Sequence, residues 1–192
     1  MSYTKHEYSD GAALAAALAD EVASRLAAAI YARDSACIAV SGGSTPKKFF
    51  EELSKRELAW DKVKVTLVDE RFVPADNERS NHLLVAKHLL TNNAAAATFV
   101  PLYYDAPSIE DAAVIATKAT AALDKPFDVV ILGMGGDGHT ASFFPHGNNL
   151  EQALDLTGLC RVMTMEAEGA GEARLTFSFS SLSDARFLAL HI

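Results

Sequence analysis

The chain has 192 residues, 49% of them hydrophobic, enough to bury one sizeable core and most simply read as a single globular domain. Its 17 basic and 25 acidic side chains give a formal charge of -8, which argues against nucleic acid or an anionic membrane as main partner. A small anion is not excluded, because a phosphate needs only a local cluster of donors and one or two cations.

The alanine-rich stretch from Gly11 to Ile30 is interrupted by Asp20, Glu21 and Arg25, so it is neither a signal-peptide core nor a membrane span. It reads instead as a helix capped by Ser9 or Asp10, with Leu14, Leu18, Val22, Leu26 and Ile30 at helical spacing and an end near Arg33-Asp34. Ala36 to Val40 reads as a buried strand that enters Ser41-Gly42-Gly43-Ser44-Thr45-Pro46. A helix with Phe49, Phe50 and Leu53 follows, and Pro46 suits its first turn. The pattern repeats with a strand from Val63 to Val68 that ends in Asp69-Glu70-Arg71, then a helix around Leu83 to Leu90. A short strand at Phe99-Val100, a helix from about Ser108 to Leu123 and a strand from Phe127 to Leu132 come next. Three strand-like stretches close the chain: Arg161 to Met165, Arg174 to Phe179 and Arg186 to Ile192. Alternating strands and helices imply a mainly parallel sheet.

Cys37 sits in an apolar run and Cys160 lies far along the chain, with no CxxC or Cys/His spacing suited to zinc. The expectation is two buried thiols in a reducing compartment, in a cytoplasmic protein that is a monomer or weak homo-oligomer.

Ligands in open parallel sheets gather beyond the carboxyl ends of the strands, where three loops of this chain fall. In the first, Ser41 to Thr45, two glycines and two hydroxyls precede a helix whose free amides and dipole favour an anion. It is not a Walker A loop, since GxxxxGK[ST] spacing is absent. Spacing alone equally allows a glycine turn with a Ser/Thr cap. In the second loop, Arg71 suits a bidentate contact with phosphate or carboxylate, although an acid-acid-base triplet at a strand end is also an ordinary solvated turn.

The third loop, Gly133-Met134-Gly135-Gly136-Asp137-Gly138, satisfies G-x-G-x-x-G, but Phe143-Phe144-Pro145-His146-Gly147-Asn148 follows instead of a helix leading to a strand. Asp137 would also repel a pyrophosphate. The better reading makes His139 a proton-transfer group, its intrinsic pKa near neutrality, with Asp137 or a neighbour orienting it. His6, His82, His88, His146 and His191 have no such setting and read as ordinary polar residues.

Taken in order, Ser41 to Pro46, Asp69 to Pro74, Ser80-Asn81, Gly133 to Pro145 and Arg174-Leu175-Thr176 resemble the 6-phosphogluconolactonases. These belong to a larger fold family shared with glucosamine-6-phosphate isomerase/deaminase. The resemblance spans nearly the whole chain and implies a Rossmann-like α/β fold, a mainly parallel sheet flanked by helices. The deaminases look like DGHxAFNEP, with a glutamate where this chain has Phe144, and carry a DEY-like sequence where it has Asp69-Glu70-Arg71. Losing one acid from a proton relay disfavours isomerisation.

The lactonase resemblance implies hydrolysis of 6-phospho-D-glucono-1,5-lactone. His139 would draw a proton from attacking water and return one to the ring oxygen, with Asp137 orienting it. Gly42, Gly43, Ser44, Thr45, Asp69, Arg71, Asn81, Gly135 and Arg174 would contact substrate or phosphate. Such an activated ester needs neither metal nor organic cofactor on this reading. Family members usually continue through a lysine-bearing turn and a helix, the lysine helping to bind phosphate; beside them the chain, read as a single catalytic domain, lacks that C-terminal segment, which makes it either a truncated form or one with an incomplete site. The alternatives are an isomerase/deaminase of amino-sugar phosphates and a non-catalytic sugar-phosphate sensor. Ser2 to Asp10 is too short to add a DNA-binding helix-turn-helix for the latter.

Overall fold

Asp10 opens the first helix, its carboxylate accepting the amides of Ala12 and Ala13 at 2.9 and 2.8 Å. In the computed structural model, which describes residues 3–159 and 161–192, this helix is α1 (Gly11–Arg33), closed by Asp34 in a left-handed conformation at φ 61°. Its buried face is Ala15, Ala19, Val22, Leu26 and Ala29, while Leu14, Leu18 and Ile30 are only half-buried. The stripe is therefore rotated from the leucine row, because small alanines let the helix axis lie close to its neighbours. The longer side chains fill the flanks.

Five parallel strands form the central sheet: β1 (Ala36–Val40), β2 (Val63–Leu67), β4 (Thr98–Val100), β5 (Val129–Leu132) and β8 (Leu188–Leu190). Their order is β4-β2-β1-β5-β8. β1 and β5 are buried along their whole length, as continuous apolar runs require when helices cover both faces of a parallel sheet. The crossovers carry α2 (Lys47–Ser54), α3 (Asn81–His88) and α4 (Ile109–Thr120). Phe49, Phe50, Trp60, Phe127 and Phe177 are the largest fully buried side chains among the described residues, and the Trp60 indole N–H is satisfied by the Arg56 carbonyl at 2.9 Å. Among the described residues no helix is long and apolar enough to cross a membrane.

The second loop is not a solvated turn. Asp69-Glu70-Arg71 forms β3 (Asp69–Arg71), antiparallel to β7 (Arg174–Phe177), which in turn pairs with β6 (Val162–Met165) in a separate three-stranded sheet. Val68 joins the two sheets: its amide donates to Val40 at 2.9 Å and its carbonyl accepts the Phe177 amide at 3.0 Å. The chain thus crosses from the parallel sheet to the antiparallel one without a loop. Two smaller departures follow β5: α5 (Leu150–Leu154) is an added turn, and Phe179 begins α6 (Phe179–Leu182) instead of prolonging β7.

Cys37 lies fully buried in β1, and burial pushes its thiol up to about 12, which makes it inert at neutral pH. The expectation for Cys160 falls outside the described residues. Counting from β1, the chain proceeds outward to β2 and β4 on one side and to β5 and β8 on the other. The sheet's switch point is therefore the gap between β1 and β5, and the Ser41 and Gly133 loops leave its two rims.

Candidate active site

A cleft of about 300 Å³ opens at this switch point. On its first side, the Ser41 amide donates to Ile131 across the gap at 3.0 Å, and Gly43 takes φ 94°, a conformation that favours glycine. Gly42 is required for another reason: a Cβ there would lie 1.8 Å from the Asn81 side-chain oxygen. No side chain caps the amino end of α2, and Ser44 and Thr45 stand exposed beside it. That end presents open amides and the positive pole of the helix to the cleft.

The second side is organised by Glu70, whose side chain is fully buried. Its carboxylate accepts the amides of Arg71, Asn81 and His82 at 2.7, 2.8 and 2.7 Å and the Ser80 hydroxyl at 3.0 Å. Glu70 thereby caps α3 from a neighbouring strand, where the helix dipole favours negative charge. Burial still lifts its pKa, and the four donors oppose that shift. With α3 so fixed, the Asn81 side-chain amide donates to the Asp69 carbonyl at 3.0 Å. Asp69 itself accepts the Ser142 hydroxyl at 2.6 Å, tying β3 to the third loop.

In that third loop, Gly135 donates to the His139 carbonyl at 2.8 Å and Gly138 turns the chain at φ 86°. The imidazole folds back over Gly135, where a Cβ would meet its Cε1 at 2.2 Å. His139 Nδ1 lies 2.5 Å from Asp137 Oδ1, which also accepts the His139 amide at 3.2 Å. A carboxylate only accepts, so Nδ1 carries a proton, and the lone pair of the neutral ring then lies on Nε2. The bond holds the Asp137 carboxyl below the usual carboxylate range. Phe144 packs against the ring, with centroids 4.1 Å apart and planes 33° apart. Ala141 holds φ 49°, a strained value for a residue with a Cβ.

Arg174 lies behind Phe144, its guanidinium carbon 5.5 Å from the ring centroid, and donates through Nη2 to the Ala170 carbonyl at 2.7 Å. Burial, then the charge of Arg71, push its pKa down. Its Nε is buried without a partner, as are Thr140 Oγ1 and His191 Nδ1. All three residues line the cleft. Buried polar atoms are almost always paired, so three orphans in residues that line one opening set this cleft apart.

Ten of the eleven residues singled out from sequence line this cleft: Gly42, Gly43, Ser44 and Thr45 at the first rim, Asp69, Arg71 and Asn81 at the second, and Gly135, His139 and Arg174 across from them. Asp137 does not; it stands on the solvent side of His139, 41% exposed. His191, set aside in the sequence, lines the cleft and is 8% exposed. Its only sequence signal was its place at the end of a strand. Among the described residues no group of three or more His, Cys, Asp or Glu side chains is placed to hold a metal ion.

Fold and cleft together define a Rossmann-like α/β protein with an anion-receptive small-molecule site at its switch point. The model of the glucosamine-6-phosphate isomerases/6-phosphogluconolactonase family matches residues 9–192, and the chain belongs to that family. It is 65% identical to the 6-phosphogluconolactonase of Rhizobium meliloti (strain 1021), covering 100% of this chain and 83% of that one. It is 54% identical to that of Mesorhizobium japonicum, covering 100% and 80%. The crystal structure of a 6-phosphogluconolactonase from Shewanella baltica OS155 superposes with a TM-score of 0.92 at 42% identity, over 96% of this chain and 78% of that one.

Proposed function

We propose that the chain is a single catalytic domain that hydrolyses 6-phospho-D-glucono-1,5-lactone to 6-phospho-D-gluconate, in the cytoplasmic oxidative branch of pentose phosphate metabolism. The observation that carries this reading is the pairing of an Asp137-oriented imidazole with unsatisfied donors in one cleft. The names of its near relatives support it.

His139 Nε2 takes a proton from water as the water oxygen attacks the lactone carbonyl, so the imidazole becomes imidazolium beside Asp137. The carbonyl oxygen becomes an oxyanion, and Arg71 and Arg174 supply the positive charge that holds it or the phosphate. Collapse of the tetrahedral species breaks the bond to the ring oxygen, and the imidazolium returns its proton there. The products are a free hydroxyl and a carboxylic acid, which ionises to the carboxylate by releasing a proton to solvent, with no covalent enzyme intermediate. Amides at the amino end of α2 bind the phosphate.

Acid release from fresh 6-phosphogluconolactone, measured against the spontaneous rate, tests the reading. Acceleration by the wild-type protein that disappears in His139→Ala supports it; a wild-type rate equal to the spontaneous one overturns it. The deaminase alternative predicts ammonia from glucosamine 6-phosphate. It is disfavoured because the position of its glutamate holds Phe144, which is buried against His139 and supplies no proton.

A further inference from the structure

His191 follows β8, and its amide donates to the Leu132 carbonyl at 2.8 Å, which pins it beside Gly133 at the floor of the cleft. Its ring meets Phe49 edge-on, with centroids 6.0 Å apart and planes 84° apart. Phe49 lies in the first turn of α2, so the imidazole stands next to the uncapped amino end of that helix. His139 is engaged elsewhere, with Asp137 and Phe144. His191 Nδ1 is buried and has no protein partner, in a side chain more than nine-tenths buried that lines the cleft. Burial lowers its pKa and so favours the uncharged ring, which has one N–H to donate and one lone pair.

An imidazole needed only for packing would be served as well by phenylalanine against Phe49, without leaving a buried nitrogen unsatisfied. The ligand that satisfies it must reach the amino end of α2, where backbone amides and the helix dipole select an anion. We propose that His191 is a binding residue that donates a ring N–H to the phosphate monoester of the substrate, seated at the amino end of α2. This rests on the sugar-phosphate reading above. It separates the phosphate end of the cleft, at His191, from the reacting end, at His139.

The test compares wild-type protein with His191→Phe, which keeps the edge-on packing, and His191→Asn, whose amide offers a donor near the position of Nδ1. Each is assayed on 6-phosphogluconolactone and on unphosphorylated glucono-1,5-lactone, and titrated with inorganic phosphate by calorimetry. His191→Phe is expected to raise KM for the phosphorylated lactone, and Kd for phosphate, about tenfold with little change in kcat. Its kcat/KM on the unphosphorylated lactone falls much less than on the phosphorylated one, and His191→Asn recovers most of the loss. Unchanged phosphate affinity in His191→Phe overturns the proposal, as does an equal loss on both lactones. If wild-type protein hydrolyses neither lactone, the lactonase reading fails and the calorimetry still decides on His191. Should His191→Phe fail to fold, histidine-labelled wild-type protein serves: a shift of the His191 ring nitrogens on adding phosphate supports the role, and no shift overturns it.

Discussion

Arg71 and Arg174 stand directly opposite each other in the antiparallel pairing of β3 with β7, two guanidinium-bearing residues in register at the edge of one cleft. Like charges at such positions destabilise a sheet unless an anion joins them. Arg71→Gln should therefore raise the thermal midpoint of the ligand-free protein, by the equivalent of a few tenths of a kcal/mol. The same variant should lose most of the further stabilisation that 6-phosphogluconate gives the wild type. Differential scanning calorimetry with and without that ligand reads both effects, and a fall in the ligand-free midpoint would count against the repulsion.

His139→Ala should lower kcat by about a hundred- to ten-thousandfold, the usual contribution of a positioned base, and leave 6-phosphogluconate affinity nearly intact. Asp137→Asn should cost less, about tenfold in kcat at unchanged KM, because the carboxylate is solvent-exposed and steadies the ring without touching substrate. Steady-state kinetics separate the two, and an equal loss from both variants would make Asp137 part of the chemistry.

Gly135→Ala tests how closely the imidazole must fold onto the backbone. The added methyl would lie 2.2 Å from His139 Cε1, so the ring must swing away from Asp137. A displacement of about 1 Å at a reacting group costs on the order of a hundredfold in rate. The expected result is that loss in kcat with native circular dichroism, and a retained rate would show that the ring has room to shift.

Glu70→Gln should destabilise the fold by about 2 kcal/mol, measured by urea unfolding, since the amide sets a donor against the cluster of donors that the carboxylate now serves. The glycine loop should loosen with it, through Asn81 and Gly42. A variant as stable as wild type would remove Glu70 from this role.

Burial lowers the pKa values of both His82 and His191 from 6.5. The unfolded chain then binds more protons than the folded one between those lowered values and 6.5, so stability rises with pH through that window and levels off above it. His191→Phe removes one of the two contributions. Urea midpoints between pH 5 and 7 should show a shallower slope in this variant, and an unchanged slope would mean His191 titrates alike in both states.

The parallel sheet was legible because its strands are short apolar runs separated by helices with caps and periodic faces, as in Ala36–Val40 and Val129–Leu132. The glycine loops were legible for the same local reasons. The second sheet was not. Asp69-Glu70-Arg71 has three charges and no periodicity, and it becomes a strand only because Arg174–Phe177 lies alongside. Glu70 reads as a surface acid until the amino end of α3 closes over it. His191 gave no signal beyond its place at the end of a strand, since neither its burial nor its unpaired nitrogen can be inferred from neighbours in sequence. Asp137 was named for the right contact, but on the solvent side of the ring.

Val68 leaves one more consequence, which concerns the order in which the molecule forms. It is hydrogen-bonded to a strand of each sheet, and β3, which follows it, cannot be laid down until β7, emerging far later in synthesis, arrives to pair with it. A nascent chain can assemble β1, β2 and their helices early, yet Arg71 then has no partner strand and Glu70 no settled pocket. Folding intermediates should therefore hold most of the apolar core while binding no phosphate. Capacity for ligand should appear late and all at once, as the antiparallel ribbon closes.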